Sequence, residues 1–403
     1  MFKAKKAKLR KLHVLFLNYE YPPLGGGAAN ATRQLLLEFS STHEVMVDLV
    51  TSSANCLLSV EQVSQDITVH RLPVSKRDIH YWRIGEILSY LSRANKYINT
   101  ELSPRQYDLA HAFFALPSGL LCYRHRDTLP YIVSLRGSDV PGFNRRLAMH
   151  YTFLKPLVKR VWSGAASVIA NSDDLRSLAL KTNPLQQVDV IANGVDTRDF
   201  QPPRDSVRRE GPLRILAVSR LTERKGLDII IRALPKILEK KDVVIKVVGD
   251  GDLRDYLQNL AIELGVQSKV DLAGYVPHDE LPELYHQADM FVLPSHWEGM
   301  SNALLEAMAC GLPTIVTNTG DSNKLIKDNG LIVQENTPES WSAAVLQLAD
   351  EPDARENMGQ ASRRIAQEYS WANVARRYLD VYRKVAKTPT PASDQAPQGV
   401  HGR

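Results

Sequence analysis

Hydrophobic and polar positions in the first half of the chain alternate between short, continuous apolar runs and longer amphipathic segments. Continuous apolar runs are typical of strands in a parallel sheet that is covered on both faces, and amphipathic segments are typical of the covering helices. Helices are predicted over residues 27–39 and 144–162. Strands are predicted at residues 13–18, 45–51, 67–72, 108–114, 131–135, 167–172 and 188–193.

The same alternation begins again after residues 197–214, a charged segment with three prolines and no apolar periodicity. Strands are predicted there at residues 214–219, 243–249, 269–274, 289–295, 313–318 and 330–333. The helix after the first of them has an apolar stripe at helical spacing: Leu227, Ile230, Ile231, Leu234 and Leu238. The pattern therefore predicts an α/β protein with two doubly wound, Rossmann-like domains that face a central cleft.

The predicted boundaries follow these changes in pattern. A helix near residues 370–385 follows the second domain, and the end of the chain is rich in Pro, Ser and Gln, which predicts disorder. The predicted parts are a first domain at 1–200, a linker at 201–213, a second domain at 214–368, a final helix at 369–386 and a disordered tail at 387–403.

Composition narrows the class of protein. With 403 residues, 44% of them apolar and 24% charged, the chain has material for two soluble cores. No run approaches 18 consecutive apolar residues, and the apolar stretch near the N-terminus is too short for a signal peptide. Cys56, Cys122 and Cys310 have no metal-ligand spacing, which favours free thiols in a reducing, cytoplasmic compartment.

Six basic residues stand among the first eleven, whereas the net charge of the whole chain is only +5. They form either a solvated terminus or a patch for an anionic membrane surface. Nucleic acid is not expected as a partner, because no aromatic residues are interleaved with them. Residues 143–162 mix basic, aromatic and aliphatic residues, which fits either a helix packed on its own sheet or one that lies on a membrane.

The stretch SHWEGMSNALLEAMACG, residues 295–311, carries two glutamates eight positions apart, Glu298 and Glu306. Ser301 is a good N-cap for a short helix that ends before Gly311, so Glu298 lies on the preceding loop and Glu306 within the helix. Both follow a predicted strand and should project at the carboxyl edge of the second sheet. The amides of Met300, Ser301 and Asn302 would point to the same place and could bind an anion.

Two cations are predicted beside this anion site. Arg220 and Lys225 lie where the strand at 214–219 turns into a helix, and they could hold a diphosphate without a metal ion. The alternative is a pair of ordinary surface residues. The sequence GDGD at 249–252 could suggest a metal ligand set, but a glycine turn after a strand explains it better.

Gly25, Gly26 and Gly27 follow the first predicted strand and precede a helix, and they let a backbone approach a ligand closely. The pattern is neither a Walker A motif nor a G-x-G-x-x-G fingerprint. A loose turn between a strand and a helix would explain it equally well.

Together these segments resemble those of a retaining glycosyltransferase of family 4, also called glycosyl transferases group 1, which has the GT-B fold. The matching segments span most of residues 13–335: PPLGGGAAN, VIANGVDTRDF, SRLTERKGLDIII, VVGDGDLRDYL, LAGYVPHDEL and LPSHWEGMSNALLEAMACGLPTIVT. The resemblance implies transfer of a sugar from a nucleotide-sugar donor to a saccharide or lipid-linked acceptor, without a metal cofactor. The first domain would bind the acceptor, the second would bind the donor, and the final helix would cross back to the first.

The resemblance also implies residue roles. Glu306 would bind the ribose hydroxyls, Glu298 would contact the donor sugar, and Arg220 and Lys225 would stabilise the leaving diphosphate. Gly26 and Gly27 would approach the donor phosphates, and the backbone at Val276 would read the base. Further donor contacts would come from Ser219, Gly249, Gly299, Met300, Ser301 and Asn302.

The sequence departs from the family pattern in two places. Arg136, followed by Asp139, stands where relatives commonly have a histidine near the donor sugar, and His111 is a candidate substitute. A usual acidic sugar contact is missing near 319–326, where Asp321 or Asn323 could alter donor choice. Two alternatives to a transferase stay open from the residues: a catalytically silent module that binds anionic lipid or a partner protein, and a sugar-nucleotide epimerase.

Overall fold

The structure is a computed structural model that describes residues 10–76, 82–143, 148–203, 211–320 and 322–387. Several sequence predictions fall outside these residues: the basic cluster up to Lys8, Arg145, Arg146, Asp321, most of the linker and the tail from 388. The side chain of Asn323 is likewise outside the description. Within the described ranges the chain divides into two compact units.

The first unit contains the described residues within 1–171, 175–191 and 375–403. Among its described residues, the strands form one sheet in the order β3-β4-β2-β1-β5-β6-β7-β8. The strands are β1 (Leu12–Leu17), β2 (Val45–Ser52), β3 (Ser59–Ser64), β4 (Ile67–Leu72), β5 (Leu109–Phe113), β6 (Tyr131–Leu135), β7 (Ser167–Ala170) and β8 (Asp189–Val190). The helices are α1 (Gly27–Thr42), α2 (Ile84–Thr100), α3 (Leu120–Arg124), α4 (Ala148–Ser163) and α5 (Asp173–Thr182), whose first two residues belong to the second unit.

The second unit contains residues 172–174 and the described residues within 192–374. The part of it that the structure describes has one fully parallel sheet in the order β11-β10-β9-β12-β13-β14. The strands are β9 (Leu213–Val218), β10 (Val243–Val248), β11 (Val270–Gly274), β12 (Met290–Leu293), β13 (Thr314–Thr317) and β14 (Gly330–Val333). The helices are α6 (Leu227–Leu238), α7 (Arg254–Glu263), α8 (Leu281–Gln287), α9 (Asn302–Ala309), α10 (Ser322–Leu325), α11 (Pro338–Asp350) and α12 (Pro352–Glu368).

The last helix, α13 (Trp371–Lys387), belongs to the first unit from Ala375 onwards. Its Tyr382 hydroxyl lies 2.7 Å from His111 Nδ1 on β5, and its Tyr378 hydroxyl lies 3.0 Å from Ser134 Oγ on β6. These buried contacts place Tyr378 and Tyr382 of α13 against β6 and β5.

The cores follow the predicted periodicity. On α6, the residues Leu227, Ile230, Ile231 and Leu234 are buried against the second sheet, with Leu238 partly buried beside them. Parallel strands whose carboxyl ends share one edge place their following loops together, so the loops after β9, β10 and β12 meet at one edge of this sheet.

Two sequence predictions need correction. The strand expected at 188–193 has only two residues, because the chain then turns away and the Val195 amide bonds to the Tyr369 carbonyl oxygen. β3 was not predicted, and it runs antiparallel to β4 at the edge of an otherwise parallel sheet. Its side chains are almost all exposed, so it has no buried apolar run that would signal a strand.

Candidate active site

The turn after β9 carries the two predicted cations. Lys225 ends a short 3-10 turn (Glu223–Lys225), and Gly226 follows in the left-handed conformation at φ +60°. A Cβ on Gly226 would lie 2.2 Å from the Pro294 carbonyl oxygen, so only glycine allows this turn to lie against the end of β12. The turn is thereby fixed beside the loop that carries Glu298.

Lys225 and Glu298 form a direct ion pair in which the Lys225 ammonium donates to Glu298 Oε2. The Ser295 hydroxyl donates to the same oxygen at 3.2 Å. Both charged side chains are largely buried, so the pair is shielded from water. The structure therefore brings together a cation and a carboxylate that come from loops 73 residues apart.

Burial lowers the pKa of Lys225, and the adjacent Glu298 carboxylate opposes that shift. The positive charges of Arg224 and Arg220 lower this pKa further, so Arg220 is close enough to act on Lys225 electrostatically. Arg220 itself is exposed, and the Arg224 guanidinium lies 5.6 Å from the centre of the Trp297 ring. The three cations of this turn, Arg220, Arg224 and Lys225, therefore outnumber the carboxylates of Glu223 and Glu298, which favours an anionic ligand.

Glu306 lies on α9, where both predicted helix signals are confirmed. Ser301 accepts a hydrogen bond from the Leu304 amide at 3.3 Å as the N-cap, and Gly311 has φ +77° just beyond the C-cap Cys310. The helix buries Leu304, Ala307 and Met308 as predicted, and it buries Glu306 as well.

The two carboxylate oxygens of Glu306 have different partners. The Tyr285 hydroxyl donates to Oε2 at 2.9 Å, and His278 Nε2 lies 3.2 Å from Oε1. Tyr285 is on α8, whereas His278 lies in the loop after β11 beside Val276, which packs against the core cluster that includes α9. Neither Tyr285 nor His278 was singled out from the sequence.

The other residues predicted for donor binding in the second unit lie on the loops after β9, β10 and β12 and at the start of α9. Asn302 accepts a hydrogen bond from Asn193 at 3.3 Å, and Gly299 and Met300 are partly buried on the Glu298 loop. Gly249 adopts φ +130° and lies so close to Ser219 that a Cβ would be 2.0 Å from the Ser219 carbonyl oxygen. At the start of α9, the Leu304 amide donates to the Ser301 hydroxyl and the Leu305 amide donates to the Ser301 carbonyl oxygen.

The loop that carries Glu298 depends on support that the sequence did not reveal. The Thr317 hydroxyl donates to the Ser295 carbonyl oxygen at 2.6 Å. Gly320 has φ +58°, and a Cβ there would lie 2.0 Å from the Glu298 carbonyl oxygen. A glycine after a strand was visible in the sequence, but its close approach to a loop 22 residues away was not.

In the first unit, Gly26 and Gly27 are exposed, and a Cβ on either would meet no atom within 4 Å. Their backbone is therefore open to a ligand. Gly25 differs, because φ is +95° and a Cβ would lie 2.7 Å from the Glu20 side chain. Only this first glycine of the three is required by the fold.

Arg136 follows β6 in the first unit, where its guanidinium lies 4.8 Å from the centre of the Phe113 ring. Asp139 is buried and accepts hydrogen bonds from the amides of Arg136 and Gly137, so it shapes this loop. His111 is fully buried, with Ser134 Oγ 2.7 Å from its Nε2, and burial lowers its pKa well below the usual value. His111 therefore has a structural role, because no ligand can reach it.

Two further sequence expectations concern metals and membranes. Across the described ranges, no group of three or more His, Cys, Asp or Glu side chains is arranged to hold a metal ion. Asp250, in the GDGD stretch, accepts from the Gly251 amide at 2.8 Å, as a glycine turn requires. Nor does any helix in the described part have the length and apolar character needed to cross a membrane. The three cysteines are free.

Comparison with known proteins identifies the family. The model of "Glycosyltransferase Family 4" matches residues 25–199, and that of "Glycosyl transferases group 1" matches residues 200–365. The D-inositol 3-phosphate glycosyltransferase of Thermobispora bispora is 30% identical over 328 residues, which cover 74% of this chain and 75% of that protein. The chain belongs to the glycosyl transferases group 1 family.

Solved structures show the fold of this glycosyltransferase. Sucrose-phosphate synthase from Thermosynechococcus elongatus superimposes with a TM-score of 0.77 at 20% identity, covering 93% of this chain and 99% of that one. HepE from Anabaena, solved in complex with UDP and glucose, has a TM-score of 0.69 at 19% identity, covering 93% and 100%. The glycosyltransferase therefore has the GT-B fold, with two parallel-sheet α/β domains. Family membership also favours a transferase over the silent module and the epimerase.

Proposed function

We propose that this glycosyltransferase transfers a sugar with retention of configuration from a UDP- or GDP-linked donor, without a metal ion, to a saccharide or lipid-linked acceptor in glycan biosynthesis. The observation that carries the proposal is the buried Lys225–Glu298 pair, with Arg220 close to it, at the carboxyl edge of the second sheet. HepE, a neighbour in fold, was solved with UDP and glucose, which supports a nucleotide-sugar donor.

The chemistry follows from the charges. As the bond between the sugar and the diphosphate breaks, negative charge develops on the diphosphate and positive charge on the sugar. Lys225 and Arg220 stabilise the negative charge on the diphosphate. The Glu298 carboxylate, freed from Lys225, accepts hydrogen bonds from hydroxyl groups of the sugar. Because two cations are already fixed on the protein, no metal ion is required to neutralise the leaving group.

The remaining predicted roles fit the same donor. Glu306 accepts hydrogen bonds from the ribose hydroxyls, and the first-turn amides of α9 donate hydrogen bonds to the diphosphate. The backbone at Val276 contacts the base. Ser219 and Gly249 bring the ends of β9 and β10 together beside the cations. Gly26, Gly27 and Arg136 remain predicted substrate contacts of the first unit.

The test is release of free nucleotide from a panel of nucleotide sugars, followed by NMR assignment of the product anomer. Lys225→Ala should lower kcat/KM by about 10²-fold or more, the scale of losing a transition-state electrostatic partner. Glu306→Ala should lower it by about the same factor, because the charge-assisted hydrogen bonds to the ribose hydroxyls are lost. Lys269→Ala is the matched control, because it removes a lysine from an exposed ion pair with Asp242 in the same unit. Folding of each variant is checked by thermal unfolding.

Rates for folded Lys225→Ala and Glu306→Ala that match wild type would reject the proposed site. An inverted anomer would reject retention alone. Loss of turnover after treatment with EDTA, restored by a divalent ion, would reject metal independence.

We further propose that the enzyme meets its acceptor at an anionic membrane surface, peripherally and on the cytoplasmic face, through α4. Phe153 is 80% exposed on this helix, and Leu154, Lys155 and Arg160 are exposed near it. Exposed apolar side chains beside basic ones are typical of helices that bind anionic lipid at its interface.

Vesicle flotation tests this surface. The wild type should bind vesicles that contain phosphatidylglycerol more strongly than neutral ones, and Phe153→Ser should reduce that binding several-fold. Leu185→Ser is the control, since Leu185 is even more exposed but lies after α5. Equal binding of wild type and Phe153→Ser, or none by the wild type, would contradict the proposal.

A further inference from the structure

The two oxygens of the Glu306 carboxylate are in unequal environments. Tyr285 holds Oε2 from the protein interior, and its side chain is fully buried. His278, at Oε1, has a side chain that is 54% exposed. One oxygen is therefore fixed by the core, and the other faces the accessible side of the loop.

Tyr285 is held firmly by its surroundings. Its ring lies 5.8 Å from the Phe200 ring and 6.1 Å from the Phe291 ring, both measured between centres. Burial, and then the negative charge of Glu306, raise the pKa of its hydroxyl well above the usual value. The hydroxyl therefore stays protonated at any working pH and remains a hydrogen-bond donor. Its other neighbour is the Ala303 carbonyl oxygen at 3.3 Å, a longer contact than that to Glu306.

We propose that Tyr285 is a positioning residue for the donor nucleotide: by holding Oε2 of Glu306 it presents Oε1 to a ribose hydroxyl, which takes the place of His278 there. The inference rests on the proposed function and extends it to a residue that makes no contact with the substrate itself. A glutamate without this restraint could rotate about its side-chain bonds, and ordering it would then weaken ribose binding.

The geometry predicts a specific dependence. Removing the Tyr285 hydroxyl leaves a buried carboxylate oxygen without its donor, and the carboxylate must turn to find another. Recognition of the ribose hydroxyls should suffer, while contacts to the base and the diphosphate should not. The effect of the substitution must therefore disappear when the ligand has no ribose hydroxyls.

Calorimetry on the full chain measures this coupling. UDP and GDP are titrated into the wild type, and the tighter one is compared with its 2′,3′-dideoxy analogue. Tyr285→Phe should weaken binding of the ribonucleotide about tenfold and leave binding of the dideoxy analogue within about twofold of wild type. With the matching donor sugar nucleotide, KM should rise and kcat should change little.

Tyr90→Phe is the matched control, because it also removes a fully buried tyrosine hydroxyl, one that donates to the Val50 carbonyl oxygen at 3.0 Å. It should change neither affinity. The Phe substitution keeps the packed ring, and Tyr285→Met provides a second variant without the hydroxyl if the first does not fold.

Equal weakening of both ligands by Tyr285→Phe, or no weakening of either, would overturn the inference. Failure of the proposed function looks different, because then the wild type binds neither nucleotide or Glu306→Gln leaves ribonucleotide affinity unchanged. A wild type that binds through Glu306 without coupling to Tyr285 rejects only the positioning role.

Discussion

At the residue scale, each buried carboxylate of the site already has partners within the protein. Lys225 neutralises Glu298, and Tyr285 and His278 occupy the oxygens of Glu306. A buried charge without a partner is costly, so in the absence of substrate these pairs keep the carboxylates and the ammonium in place. A ribose hydroxyl that donates to Glu306, or a diphosphate that approaches Lys225, then has to replace only one of these partners.

Gly320 provides a test of how tightly the Glu298 loop is held. Its φ of +58° and its contact with the Glu298 carbonyl oxygen mean that a methyl group both strains the backbone and pushes the loop away. Gly320→Ala should lower the free energy of unfolding by roughly 2–4 kcal/mol and should reduce kcat/KM at least tenfold, since Glu298 is displaced. Urea unfolding and the nucleotide-release assay measure the two effects.

Substitution of Gly265 separates the effect of backbone strain from the effect of displacing the Glu298 loop. It has φ +69° in the same unit, yet a Cβ there would meet no atom within 4 Å. Gly265→Ala should therefore cost only about 1 kcal/mol and leave turnover unchanged. If Gly320→Ala behaves like Gly265→Ala in both measurements, the loop does not depend on the close approach.

At the scale of elements, secondary structure was predicted most accurately where the residues that mark helix ends agree with the apolar periodicity. For α9, Ser301 and Gly311 mark its two ends, and the stripe from Leu304 to Met308 marks its buried face, so the prediction was confirmed to within one residue. β3 was missed because an exposed edge strand lacks the apolar run by which its neighbours were recognised.

The candidate site was predictable only in part, because some of its residues have no distinctive pattern in the sequence. Charged residues after strands are conspicuous in a sequence, and Arg220, Lys225, Glu298 and Glu306 were found in this way. Tyr285 was not, because an aromatic residue in an amphipathic helix usually packs in a core, and its ring does so here. Its hydroxyl becomes informative only when the fold brings α8 against α9, a contact that no local pattern encodes.

At the scale of the whole molecule, two carboxyl groups of the first unit respond to pH in opposite ways. Asp48 accepts hydrogen bonds from the Tyr107 hydroxyl and from the rings of His13 and His70, and these outweigh burial and lower its pKa. A lowered folded-state pKa contributes stability that is present above the ordinary value and lost as the pH falls into the acid range. Asp48 therefore makes this unit sensitive to acid.

The contribution of Glu20 to stability changes with pH in the opposite direction. Burial raises its pKa to about 7, although the positive charges of Lys76 and Arg136 oppose the shift. A raised folded-state pKa gives stability that is full below the ordinary value of 4.5 and is lost as the pH rises towards 7. The loss is about 3 kcal/mol at 1.36 kcal/mol per pKa unit. The first unit should therefore be most stable near pH 5 and weaker near pH 8.

Because a two-unit chain need not unfold in one step, the measurement must resolve the units. Amide hydrogen exchange followed by mass spectrometry does so, with peptides from β1 and β5 reporting on the first unit and peptides from β10 and β12 serving as an internal control. Between pH 5 and 8, after correction for the intrinsic exchange rate, protection of the first unit should fall in the wild type. In Glu20→Gln, which is neutral throughout, that fall should be largely removed. A fall that persists unchanged in Glu20→Gln would show that another group causes it, and equal loss in both units would show that the effect is not local to the first.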